Sequence, residues 1–363
     1  MKSEIVSSVH AVPVAHWDRL ARHAGVYLSH RWLAGEESDP TATASYALIR
    51  DGDGTLVAAA PLYLVHHEPN TYYDPVHLPP GTEKPRVIAG ARRGYHNAPL
   101  TDPDLAEDVD AHCLALLHEA AREHAGRHGT AHWWPYLTES ATRRLAPLYG
   151  TPAHRMEDDA TIPLPGAGFD DYLASLPSKR RVAIRHERAA FEAAGLGIRR
   201  QRLADCYGDA GRLLAALQKS HGHGDDTDAM TSLLKRQADA MGEHARVVAA
   251  YDGPLMTGFC LYYHQGGTTW LRAVGIDPEH PAPFAYFTLT YYAPIEDAYR
   301  HGSTALHAGM KAIEAKCLRG ARVSGLYALH DTRTGASSGS TPVSSPVSTT
   351  SASYEMDPVR PRP

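Results

Sequence analysis

Residues 245–276 read ARVVAAYDGPLMTGFCLYYHQGGTTWLRAVGI, and three apolar runs separated by two tight turns define them. ARVVAAY (245–251), LMTGFCLYYH (255–264) and TTWLRAVGI (268–276) are strand-length and rich in Val, Leu, Tyr and Trp, while DGP and QGG supply turn residues. The spacing predicts a three-strand meander. A helix is expected next, with Phe284, Phe287, Tyr291, Ile295 and Ala298 on one stripe and a kink at Pro294. STALHAG (303–309), IEAKCLRGA (313–321) and VSGLYALH (323–330) continue as strand, short helix and strand.

The first half repeats this order. SYALIR (45–50), the turn DGDG and TLVAAAPLYLV (55–65) read as a hairpin, followed by the strand RVIAG (86–90). Leu105, Val109, Leu114, Leu116, Leu117 and Ala121 mark a helix around 105–125, and AHWWPYL (131–137) closes the half as a strand. Two meander–helix–strand units imply an α/β chain of the α+β type. Each half is expected to be a mixed, mostly antiparallel sheet flanked by helices, over residues 1–160 and 161–330. Residues 331–363 are dominated by Ser, Thr, Pro and Gly, with almost nothing large and apolar to bury, and read as a disordered tail.

Composition narrows the function. The chain has 363 residues, 43% of them hydrophobic and 21% charged, which is ordinary globular usage. Thirty-six basic against 41 acidic residues give a net charge of −5, so any nucleic-acid contact needs a local patch. No apolar run approaches the roughly 18–20 residues of a membrane span, and the N-terminus lacks the apolar core of a secretory signal. The four cysteines are scattered without a C-x-x-C pair, which fits a cytoplasmic chain with free thiols and no Cys-built metal site. The 23 histidines are equally scattered. His221, His223, Asp225, Asp226 and Asp228 lack helical metal-ligand spacing and read as a loop.

Three phrases carry a family resemblance: SLPSKRRVAIRHERAAFEAAGL (175–196), FAYFTLTYYAPIEDAYRHG (284–302) and GMKAIEAKCLRGA (309–321), the last with a K-x-x-x-G ending. Together with SHRWL (29–33), NTYYD (70–74) and RRGYHN (92–97), they resemble the Fem-like group of tandem GNAT-fold acyltransferases. The resemblance implies transfer of an acyl group to an amine. In the Fem branch the donor is aminoacyl-tRNA, and in acetyltransferase relatives it is acyl-CoA. No resident cofactor is expected, since the donor is a co-substrate.

Such chemistry needs an oxyanion donor, a route for the amine proton, and cations for a polyanionic donor. Lys316, on the short helix after strand 303–309, is expected to reach the reacting carbonyl or a donor phosphate. His307 is the candidate base. Lys179, Arg180, Arg181 and Arg185 crowd a helix N-capped by Ser178, where cations oppose the helix dipole, and are assigned to phosphate binding. Arg319 and the pair Arg92 and Arg93 in GARRG (90–94) are further candidates, while Arg188 is expected to pair with Glu192. Lys316, Arg181 and Arg185 are all expected at the surface, so their removal should barely affect folding. GIDPEHPAP (275–283) stands where GNAT enzymes cradle pyrophosphate; three prolines and two acids make it poor for CoA.

Three functions remain open on the sequence. The first is Fem-like aminoacyl transfer to a small amine or hydroxylamine, forming an amide or ester-type bond, in a specialised-metabolite pathway such as antibiotic biosynthesis. The second is acyl-CoA-dependent N-acetylation. The third is a non-catalytic GNAT-fold binding module. No heptad run resembling the tRNA-binding insertion of Fem enzymes occurs.

Overall fold

The computed structural model describes residues 1–68, 70–75, 78, 84–220 and 226–331. The predicted tail from 332 onward and the loop residues His221, His223 and Asp225 lie outside them. In chain order the strands are β1 (Lys2–Val6), β2 (Ala42–Arg50), β3 (Leu56–Val65), β4 (Val87–Ala89), β5 (Leu100–Thr101), β6 (His132–Thr138), β7 (His154–Pro163), β8 (Gly197–Arg202), β9 (Ala245–Asp252), β10 (Leu255–Gln265), β11 (Thr268–Ile276), β12 (Ala305–Met310) and β13 (Arg322–His330). The helices are α1 (Val14–Leu20), α2 (His30–Glu36), α3 (Glu107–Arg127), α4 (Glu139–Leu145), α5 (Phe169–Ala174), α6 (Ser178–Ala193), α7 (Tyr207–Ser220), α8 (Thr227–Met241), α9 (Ala285–Phe287), α10 (Ala293–Arg300) and α11 (Ile313–Cys317). No helix among the described residues is long and apolar enough to cross a membrane.

Two compact units emerge, and the chain interleaves them. Among the described residues, Met1–Ala21, Asp39–Met156 and 326–331 form the first; Arg22–Ser38 and Glu157–Gly325 form the second. The boundary expected at 160/161 falls at 156/157, and two further segments change sides. Residues 22–38 join the second unit because Trp32 packs edge-on against Tyr263 and Tyr27 against Trp270. Gly35 makes this possible: a Cβ there would come within 2.5 Å of Ala240 Cβ on α8. The end of β13 joins the first unit by pairing antiparallel with β6, Leu326 opposite Thr138 and His330 opposite Trp133.

In the first unit the sheet runs β1-β2-β3-β4-β6 and ends on that segment of β13. The β2–β3 hairpin forms as predicted, its turn held by Asp51 Oδ1, which accepts from the amides of Asp53 (3.0 Å) and Thr55 (2.9 Å). Helix α3 covers this sheet, burying Cys113, Leu114, Leu117, Ala121 and Ala125 against Ala47, Ile49, Val57 and Leu62. Its acidic first turn (Glu107, Asp108, Asp110) and basic last turn (His124, Arg127) both favour the dipole.

In the second unit the order is β8-β9-β10-β11-β12-β7, antiparallel except for the parallel pair β11/β12. The predicted meander is β9–β10–β11. Helix α9 passes through a π turn (Thr288–Tyr292) into α10. The irregularity expected at Pro294 takes this form because proline offers no amide proton to the carbonyl one turn back. Leu289 from this turn lies on Gly258, where a Cβ would approach it to 2.7 Å. All five residues of the π turn are buried.

Candidate active site

The end of β12 is an unusual backbone. Gly309, Lys311 and Ala312 all have positive φ (73°, 61° and 45°), and two of them carry a Cβ. Each such residue costs about 1–2 kcal/mol, so side chains must hold the turn. Lys316 on α11 does so, its ammonium donating to the carbonyls of Gly309 (2.8 Å) and Met310 (2.6 Å). Lys311 reaches Glu157 at 2.6 Å. An ammonium has three protons, and no described residue takes the third. Lys316 is 2% exposed, which corrects the expectation of a surface lysine. Burial pulls its ammonium down to about 8, opposed by the charge of Asp159.

Asp159 was not recognised in the sequence. It lies on β7, and His307 lies opposite Thr161 on the paired strand β12. A bulge between His307 and Gly309 lets the two side chains meet on one face. His307 Nε2 is 2.9 and 3.0 Å from the two Asp159 oxygens, and both residues are buried. As the ionised carboxylate only accepts, it fixes the Nε2–H tautomer and puts the imidazole lone pair on Nδ1. Trp270 packs on the imidazole at 4.4 Å. The run EDD (157–159) before the apolar ATIPL was the available signal: read with a two-residue period, it makes a strand with one acid turned inward.

The basic helix α6 forms as expected, with one change. Pro177, not Ser178, occupies the N-cap, and no side chain caps the helix. Lys179 and Arg185 are exposed and Arg180 and Arg181 half-buried, and none of the four has a carboxylate partner among the described residues. Arg181 donates to the Leu176 carbonyl at 2.7 Å. The opposite face buries Ile184 and Phe191. Arg188 pairs with Glu296 on α10 (2.6 Å) rather than with Glu192, its guanidinium 4.3 Å above the Phe169 ring.

The remaining arginine candidates are occupied by protein groups. Arg319 is 4% exposed, donates to Glu187 (3.0 Å) and the Ala315 carbonyl (2.9 Å), and lies 3.7 Å over Phe287. Tyr292 also donates to Glu187. This cluster locks α6 to the π turn and to the turn that follows α11, so Arg319 serves the architecture of the site rather than an open phosphate contact. Arg92 and Arg93 belong to the first unit. Arg92 is 1% exposed and reaches Glu68 (2.7 Å), and Arg93 pairs with Asp39 (2.5 Å) and Glu68 (3.3 Å). Burial pushes the Asp39 carboxyl up, but Thr41 hydrogen bonds and the two arginines outweigh it and hold it down at about 2. The pair is thus neutralised from within, not set out as an anion cradle.

In the turn at 275–283, Asp277 accepts from the Glu279 amide (3.0 Å) and lies 3.3 Å from His280 and 3.4 Å from Arg212. Asp226 caps α8 through the Ala229 amide at 2.7 Å. Tyr291 and Tyr292 are core residues of the π turn.

The second unit thus carries a buried lysine, a carboxylate-held imidazole and a basic helix whose cations have no carboxylate partner among the described residues. Residues 111–336 match the FemAB-like family, described as peptidoglycan biosynthesis/recognition. The chain belongs to that family, and it is an acyltransferase. Among solved structures, FemX superposes with a TM-score of 0.63 at 12% identity, covering 90% of this chain and 97% of that one. A tandem GNAT protein from the clavulanic acid biosynthesis pathway gives 0.53 at 15%, covering 91% and 98%. The C-terminal domain of a putative lysylphosphatidylglycerol synthetase from Agrobacterium fabrum gives 0.54 at 11%, covering 87% and 91%. These likenesses establish the fold. No curated protein matches the sequence at a significant level.

Proposed function

We propose that this protein transfers an aminoacyl group from aminoacyl-tRNA to a small amine or hydroxylamine, in a specialised-metabolite rather than a wall-building setting. The observation that carries this reading is Lys316: a buried ammonium with two protons committed to the β12 turn and one left for an acyl oxygen. As the amine attacks the ester carbonyl, negative charge grows on that oxygen, and a preorganised cation in a dry site stabilises it. His307, oriented by Asp159, takes the proton that the attacking amine must lose. The unpaired cations Lys179, Arg180, Arg181 and Arg185 supply a face for the phosphates of the donor. Arg319, by holding Glu187 and the π turn, positions α6 beside them.

Acyl-CoA as donor is the second reading, favoured by the name of the clavulanic acid relative. Against it stand Pro278, Pro281 and Pro283, which remove amide donors from the turn after β11, and Asp277, which repels phosphate. On our reading the donor leaves with each turnover, with no resident cofactor, and the protein works in the cytoplasm.

The test offers the purified chain a charged tRNA pool and, separately, acetyl-CoA, each with a set of small amines and hydroxylamines, and follows amide formation by mass spectrometry. Transfer from aminoacyl-tRNA that is lost in Lys316→Ala supports the proposal. Turnover with acetyl-CoA alone moves the second reading to first place.

A further inference from the structure

Strand β11 changes character at Arg272. Its parallel pairing with β12 runs through Thr268–Ala305, Thr269–Leu306 and Trp270–His307, and the two strands part there. On the other side, the register with β10 steps from Leu271–Tyr262 to Ala273–Leu261, which makes Arg272 the extra residue of a β-bulge. Burial records the opening. Thr269, Trp270 and Leu271 are buried, whereas Arg272, Ala273 and Val274 are half-buried. Bulges are frequent beside active sites, where they set the aim of a side chain.

Ring contacts show where this side chain goes. The Arg272 guanidinium lies over Tyr27 and Trp32, 5.6 and 5.3 Å from their centroids. Tyr27 meets Trp270 edge-on at 6.1 Å, and Trp270 packs 4.4 Å from His307. Arg272 therefore shares a face of the sheet with His307. It stands two residues past the Trp270–His307 pair, about 6–7 Å along the strand. The rings beneath it are fixed in turn, Trp32 edge-on to Tyr27 at 5.0 Å and to Tyr263 at 5.8 Å. A guanidinium that stacks through its flat face keeps N–H donors in its plane for a ligand.

We propose that Arg272 recognises a carboxylate on the acceptor, so that the amine or hydroxylamine is an amino acid or a similar acid-bearing molecule. This rests on the reading of His307 as the base that takes the amine proton. A group bound two residues beyond that base belongs to the molecule whose amine the base serves. The planar fork of an arginine matches a carboxylate with two parallel hydrogen bonds. Charge supports the same assignment. Asp159, buried against His307, repels an incoming anion in a poorly screened site, and Arg272 supplies the opposite sign on the face from which the acceptor arrives. The cations of α6 are given to the donor phosphates on our reading, which leaves Arg272 for the acceptor.

The test measures binding and turnover separately on the full chain. Calorimetry without donor titrates the standard amino acids, β-alanine and γ-aminobutyrate, each against its carboxamide. At least one acid should bind ten or more times as tightly as its amide. In Arg272→Gln that preference should shrink by about 10–100-fold, the worth of a hydrogen-bonded ion pair, with amide affinity within threefold of the parent. Arg272→Lys keeps the charge without the fork and should fall between the two; it carries the comparison if the glutamine variant does not fold. In turnover with a charged tRNA pool, the variants should raise KM for the acid and leave that for the amide unchanged. A merely structural role for Arg272 moves both alike, and that result overturns the proposal. So does a parent that binds acids no better than amides, even if it transfers aminoacyl groups. Acid-selective binding lost in Arg272→Gln, but with no transfer from aminoacyl-tRNA, upholds Arg272 and removes the donor reading instead.

Discussion

His307 and Asp159 meet across paired strands, the imidazole Nε2 within 3.0 Å of both carboxylate oxygens and both side chains closed off from solvent. Side chains on neighbouring strands can hold a catalytic geometry more tightly than loops. If His307 accepts the amine proton, His307→Gln should lower kcat/KM by roughly 10²–10⁴-fold, the usual worth of a general base. Asp159→Asn should lower it too, because the neutral amide no longer fixes the tautomer. A His307→Gln enzyme within threefold of the parent would leave the imidazole a packing residue.

Lys316 makes a double prediction. Lys316→Ala should cost kcat/KM roughly 10²–10³-fold, as loss of one oxyanion donor does. It should also destabilise the fold by about 1–3 kcal/mol, since the carbonyls of Gly309 and Met310 lose their donor inside the protein. Denaturant midpoints read the second effect and assays well below melting read the first. As the charged form does the work and burial places its ionisation at about 8, activity should fall as pH rises through that value. An activity profile flat to pH 10 would remove the ammonium from the mechanism.

The cations of α6 should act on donor binding and not on folding. Lys179→Ala and Arg185→Ala replace exposed side chains without ion pairs, so stability should change by less than about 0.5 kcal/mol. Donor KM should rise with kcat unchanged. That rise should shrink between about 50 and about 200 mM salt, because counterion competition has already weakened the phosphate contacts of the parent. A salt-independent KM defect would point to shape rather than charge.

The sheets were legible in the sequence because period-two apolar runs and Gly-containing turns are local signals. Thus β9, β10 and β11 fall where ARVVAAY, LMTGFCLYYH and TTWLRAVGI put them, within a residue or so. Strand β7 was not legible, since HRMEDDATIP mixes three acids into a strand whose burial comes from distant partners. Asp159 was lost with it. Lys316 and His307 could be named from the family resemblance, but not their burial, which depends on a turn closing back over α11. Charge misled at Arg92, Arg93 and Arg319: each looks available in sequence, and each has an acid brought to it from 24 to 132 residues away. The residence of Arg22–Ser38 in the second unit was equally invisible, because Trp32 and Tyr263 are joined only by folding.

The last prediction concerns acid stability and lies in the first unit. His132 on β6 is buried, its Nε2 2.9 Å from the Tyr149 hydroxyl. Burial, assisted by the charge of His118, pushes its imidazole down to about 3. An unfolded histidine titrates near 6.5, so below that pH the unfolded chain gains a proton that the folded chain refuses. Stability must then fall as pH drops from about 6.5 toward 3, while above pH 7 the residue contributes no slope. At pH 5 the loss from this one group is about 2 kcal/mol, from 1.36 kcal/mol per pH unit. His132→Phe removes the titrating group while keeping an aromatic ring in the core. The variant pays for the lost Tyr149 bond at pH 7.5, yet between pH 7.5 and 5 its urea midpoint should drop less than that of the parent. Parallel midpoints for the two proteins across this range would show that His132 is already protonated in the folded state, and the burial argument would fail.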